Sequence, residues 1–154
     1  MNRTLAWTAG MLGLSGSLLG AASLSTPFVD VQVENVQPGK VFSVKHSAAE
    51  GLALNNLSDA PLRVRIAVLI PSETELRDGA KPIPDTHWVR IEPAEVAIPP
   101  QQRAVCRVTL HVPEGRRFRG KYYQASIWSR SEPMQGTQVA FSAGLLSRLR
   151  FKTK

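Results

Sequence analysis

A single cysteine, Cys106, and three histidines, His46, His87 and His111, are all that this 154-residue chain offers to thiol or metal chemistry. One cysteine cannot close an internal disulfide, so the fold has to be held by its apolar core. The separations of the three histidines match no zinc-ligand spacing and a single cysteine makes no Cys pair, which argues against the usual zinc motifs. No Gly-x-Ser-x-Gly elbow follows the N-terminal segment. The acids Glu73, Glu75, Asp78 and Asp85 share one polar stretch, where solvated charge is their ordinary state. These shortages predict a protein that is not an enzyme, with no catalytic residues, no metal and no cofactor. Internal repeats and low-complexity tracts are also lacking. Beyond the N-terminus there is no sustained 3.6-residue apolar period, which excludes a helical bundle.

Long apolar runs are confined to the N-terminus. Arg3 precedes an apolar stretch from Leu5 to Leu19, and the small residues Ala21, Ala22 and Ser23 follow it, the layout of a secretory leader. Gly10, Gly13, Gly16 and Gly20 interrupt the stretch, which falls short of the ~20 apolar residues of a membrane span. We read residues 1–25 as a signal peptide, cleaved after Ala22, Ser23 or Ser25, and residues 26–154 as the mature domain; uncleaved, the same segment would be an anchor. The mature part suits one domain without a further membrane span, exported to the periplasm or beyond the cell. A lipoprotein would need a cysteine at the cleavage point, and Cys106 is far from it. Alternation places Cys106 on one strand face with Ala104, Val108 and Leu110, as a buried small hydrophobe.

After the leader, short segments of period two are punctuated by proline and glycine. Phe28–Val36 is a first extended segment, closed by Gln37-Pro38-Gly39, and Val41–Val44 follows. Leu52 and Leu54 lead into Asn55–Pro61, which reads as the turn of a hairpin. Leu62, Val64, Ile66, Val68 and Ile70 alternate with Arg63, Arg65, Ala67 and Leu69, so this strand should be central, with the first set buried. The longest loop runs from Ser72 to Thr86. Trp88–Ile91 and Val96–Ile98 are stopped by Pro93 and by Pro99-Pro100. Arg103–Val112 alternates again, Tyr123, Ala125 and Ile127 share a face, and Val139–Phe151 forms a last segment with a bend or bulge expected at Gly144. Seven or eight short strands without helices predict an all-β, antiparallel sandwich of immunoglobulin type, with a small closed barrel as the alternative.

The turn and strand residues Asn55-x-x-Ser58-Asp59-x-Pro61, Trp88-x-x-Ile91-x-Pro93-x-x-Val96-x-Ile98-Pro99-Pro100, Val105-x-x-Val108-Thr109-Leu110-x-Val112-Pro113 and Gly120-x-x-Tyr123-x-Ala125-x-Ile127 carry a family resemblance. The chain resembles the Ig-like modules of bacterial exported proteins, including the cell-surface domains appended to glycosidases and, more distantly, the N-terminal domain of periplasmic pilus chaperones. The chaperone resemblance implies a basic residue in the first strand and another in the last, gripping a subunit's terminal carboxylate. Phe28–Val36 has no Lys or Arg, whereas Arg148, Arg150 and Lys152 stand in the last segment.

Charge is distributed unevenly. Residues 26–102 hold 7 basic and 10 acidic side chains, and residues 103–154 hold 11 basic and 2 acidic. Such asymmetry predicts an anionic contact, either an envelope protein or an anionic surface polymer, in preference to nucleic acid for an exported domain. Arg116, Arg117, Phe118, Arg119 and Lys121, between Gly115 and Gly120, form the densest candidate site, since arginine forks suit carboxylate or phosphate and Phe118 can pack on a ligand or a guanidinium. Trp88 is expected in the core. Trp128 should face outward beside Arg130, as a protein or sugar contact, because its neighbour Ile127 faces inward.

Overall fold

The computed structural model describes residues 24–134 and 143–154. Two sheets face each other across one core. The first contains β1 (Leu24–Ser25), β3 (Val41–Val44), β4 (Leu52–Asn56), β7 (Val89–Glu92) and β9 (Arg103–His111). The second contains β2 (Asp30–Val36), β5 (Leu62–Leu69), β6 (Lys81–Pro82), β8 (Glu95–Ile98), β10 (Tyr122–Pro133) and β11 (Gly144–Thr153). The sandwich expected from strand spacing is present, with more strands than seven or eight. Two pieces of chain each serve both sheets, which divides them into β1 with β2 and β7 with β8, and the loop after β5 adds the two-residue β6. Two pairings are parallel, β2 with β11 and β6 with β10; the rest are antiparallel. Among the described residues the only helical turns are three 3-10 turns, Glu73–Glu75, Thr86–Trp88 and Arg116–Phe118.

The leader falls mostly outside the described residues, but Leu24 and Ser25 do not. They pair with Asn56 and Asn55, and Leu24 is buried in the core cluster. Thr26 then pins the change of sheet: its hydroxyl donates to the Ala53 carbonyl at 2.6 Å and accepts from the Phe28 amide at 3.1 Å. This drives Phe28 fully into the core.

Asn55–Pro61 is not a hairpin turn. β4 pairs with β1 and β9, and β5 pairs with β8 and β10, so the segment crosses from one sheet to the other. Asn56, fully buried, decides this: its Nδ2 donates to the carbonyls of Ala60, Ile98 and Pro99, and its Oδ1 accepts from the amide and hydroxyl of Ser58. An amide so engaged anchors a crossover between layers and leaves no free edge for β4 to pair with β5.

On β5 the alternation holds for Leu62, Val64 and Ile66, which are buried. It fades at Val68, half-buried, and fails at Ile70, exposed, because the strand stops at Leu69 and turns outward at Pro71. Gly144 marks no bulge: β10 and β11 pair without a break from Tyr122↔Lys152 to Arg130↔Gly144, and the irregularity lies between Phe151 and Thr153 against β2. Val139 and Phe141 lie outside the described residues. Cys106 is buried, and desolvation pushes its thiol up to about 11, the state of a packed, unreactive side chain.

Candidate functional site

The turn between β9 and β10 is a 3-10 turn closed by the Phe118 amide on the Gly115 carbonyl at 3.1 Å and by the Arg119 amide on the Arg116 carbonyl at 3.2 Å. Gly120 has a φ of +60°, which a side chain would resist, and brings the chain back into the sheet. Thr153, near the end of β11, fastens the turn: its hydroxyl donates to the Phe118 carbonyl at 2.5 Å and accepts from the Lys121 amide at 2.9 Å. Phe118 is not free to receive a ligand. Its ring stands edge-on to Trp88 at 5.2 Å, Trp88 to Tyr123 at 5.0 Å, and the Arg117 guanidinium lies 4.6 Å over the Phe118 centroid. The aromatic residue is thus an anchor, and the cations are held outward around it.

Other cations join them. Lys152 pairs with Tyr122, the Lys154 amide donates to Val36, Lys81 pairs with Tyr123, and the neighbour of Lys40, Gly39, bonds the Val112 carbonyl. Arg116, Arg117, Arg119, Lys121, Lys40, Lys81, Lys152 and Lys154 are all exposed. Among the described residues none of these eight makes an ion pair. We call this end of the sandwich the basic pole. Sequence reasoning missed Lys40, Lys81 and Lys154 and named Lys152 only for the last strand's grip, because only pairing brings them beside the turn.

Trp128 and Arg130 belong elsewhere. Ile127 faces the core and Trp128 faces out, 36% exposed. Seven residues of β10 at ~3.3 Å each separate Trp128 from Lys121. The outer face here is a lattice of opposite charges: Arg130 meets Glu132 at 2.8 Å, Arg65 meets Glu132 at 3.5 Å and Glu95 at 3.4 Å, and Arg63 meets Glu95 at 3.5 Å. The hydrogen bond from Arg130 holds the Glu132 carboxyl below its usual range. Further along β11, Arg148 and Arg150 bind the Asp30 carboxylate at 2.7 and 2.9 Å, and Arg150 also bonds Asp78 and the Tyr122 hydroxyl. Burial disfavours ionised Asp30, but the two arginines outweigh it and hold the carboxyl below its ordinary value.

The histidines stay apart. Asp85 caps the 3-10 turn by accepting from the His87 amide at 2.8 Å, the His87 ring, 93% exposed, lies 2.7 Å from the same carboxylate, and His46 bonds the Pro27 carbonyl. Among the described residues no three His, Cys, Asp or Glu side chains converge as a metal-ligand group.

No family model matches the chain, and no curated protein matches it. Solved structures do. PapD-like domain 7 of human CEP192 superposes with a TM-score of 0.63 at 12% identity, covering 100% of this chain and 98% of that one. The fold is an immunoglobulin-like sandwich, similar to that of this PapD-like domain. The Salmonella enterica complex of SafA pilin with the SafB chaperone gives a TM-score of 0.56 at 14% identity, and the E. coli chaperone DraB gives 0.54 at 20%. Each match covers 86% of this chain and only 55% or 56% of the other, so the chain spans about half the length of these neighbours.

Within this sandwich the first and last strands do not reproduce the carboxylate grip implied by the chaperone resemblance. β2 carries an acid, Asp30, where a base is implied. Arg148 and Arg150 of β11 are already closed on it.

Proposed function

We propose that the chain is an exported, non-catalytic interaction module of the cell envelope that holds an acidic envelope protein against its basic pole. The observation that carries this reading is the partition of charge: the arginines of the outer sheet face are neutralised within the fold, whereas eight cations at one end have no carboxylate partner among the described residues. Such a pole concentrates and orients an anionic surface, and its attraction weakens as salt rises. An anionic surface polymer is the competing ligand for the same chemistry.

The test is affinity capture from the envelope fraction of the parent cell, comparing wild type with R116S/R117S/R119S under increasing salt. Salt-sensitive capture that the triple variant loses supports the reading; equal capture by both proteins overturns it. Protease treatment of the fraction abolishes capture of a protein and spares capture of a polymer.

The PapD-like fold supports a second reading, an assembly factor or subunit of a surface appendage. That role works by strand pairing at a sheet edge, so capture would resist salt and ignore the triple variant.

A further inference from the structure

The outer face of the second sheet carries a feature that the basic pole does not use. Pairing sets Trp128 between Ala67 of β5 and Leu146 of β11, with Leu69 one diagonal step away. Leu69 is 42% exposed and Leu146 49%, so an apolar stripe crosses three strands in the middle of a sheet. The charge lattice Arg130, Glu132, Arg65, Glu95, Arg63 borders one side of it. Arg65, Ile66, Ala67, Ala94, Glu95, Trp128 and Arg130 line an open depression of about 410 Å³.

Trp128 is held in place from beneath. A Cβ at Gly144 would lie 2.4 Å from Trp128 Cη2 and 2.6 Å from Cζ2, so the six-membered ring occupies the space that only a glycine leaves empty. The indole is therefore folded down across β11 instead of standing off the sheet, an arrangement in which an aromatic ring shields a strand glycine. The tip of the ring lies against Gly144, and the indole also borders the depression.

The ligand class follows from what surrounds that ring. An apolar protein surface docking here would have to strip water from three arginines and two glutamates, at a large desolvation cost. A simple anion would meet Glu95 and Glu132 as well as the arginines. A sugar ring suits both halves of the site: its C–H face covers the indole, and its hydroxyls, each donor and acceptor, replace water on guanidinium forks and carboxylates alike. The geometry points to a saccharide-binding subsite on this face, with Trp128 as the stacking platform and Arg65, Glu95 and Arg130 as hydroxyl partners. It is independent of the basic pole and of the partner bound there.

The experiment follows the indole N–H resonances of the leader-free, ¹⁵N-labelled protein during titration with soluble oligomers of N-acetylglucosamine, glucose (β1→4 and α1→4) and xylose. The peak absent from Trp128→Phe identifies Trp128. At least one oligomer should shift it saturably and leave Trp88 in place. Trp128→Ala should weaken binding about tenfold or more, with Trp128→Phe intermediate. Gly144→Ala, which moves the ring and no charge, should also weaken it, whereas R116S/R117S/R119S should bind as wild type. If no oligomer shifts the Trp128 peak, or if poly-glutamate shifts it as strongly as the best sugar, the subsite assignment is wrong.

Discussion

The basic pole and the outer face of the second sheet hold similar sets of cations and differ in what the fold sets beside them. On the sheet face Arg63, Arg65, Arg130, Arg148 and Arg150 all meet carboxylates, some from far away in sequence, as when Asp30 of β2 is gripped by Arg148 and Arg150 of β11. At the pole the cations come together from four parts of the chain and meet none among the described residues. A surplus of arginine in the sequence is therefore not yet a binding surface; what matters is which part of the surplus the fold leaves uncompensated.

The sharpest way to break the comparison is to remove a carboxylate from the compensated side. Asp30→Ala leaves Arg150, only 11% exposed, without its main partner. It should cost about 1–3 kcal/mol of unfolding free energy, the scale of lost charged hydrogen bonds, in urea denaturation. R116S/R117S/R119S should change stability by no more than about 0.5 kcal/mol in the same assay.

Binding should show the reverse order. The pole variant should lose about tenfold in apparent affinity for the captured partner at low salt, consistent with a few exposed charge contacts of up to ~1 kcal/mol each. Arg63→Ser, which removes a cation already neutralised by Glu95, should bind within about twofold of wild type in the same pull-down.

Acid should separate the two regions last and least. Asp30 has a native pKa lowered from its ordinary 3.8. Its contribution to stability is fully present above that value and is lost as pH falls through the lower native one. Thermal melts from pH 5 to pH 2 should show this loss in wild type and a flatter profile in Asp30→Asn. The pole variant should follow wild type, since it keeps Asp30 and both of its arginine partners.

Much of this architecture was legible in the residues. Alternation at Leu62–Ile66 and Ala104–Leu110 marked inward faces, because one face of a half-buried strand must be apolar, and Trp128 was placed outward by its neighbour Ile127. Asn55–Pro61 was misread because turn chemistry is local: the same Asn, Ser and Pro close a hairpin or anchor a crossover, and the distant carbonyls of Ile98 and Pro99 made the difference. Gly144 was read as a bend or bulge, and pairing shows no bulge there, because nothing near it in sequence tells that Trp128 needs its missing side chain. At the candidate sites, Arg116, Arg117, Arg119 and Lys121 were found as a run, but Phe118 proved to be their anchor.

The sequence by itself determined the all-β class, the faces of the long strands, the buried thiol and the excess of basic residues after 102, since period, proline and charge are written along the chain. Only the tertiary structure decided where that excess stays unpaired, which segments change sheet and how Trp128 lies. Those depend on contacts between residues up to 120 positions apart, as between Asp30 and Arg150, and pairing across sheets is set by which partners are buried together.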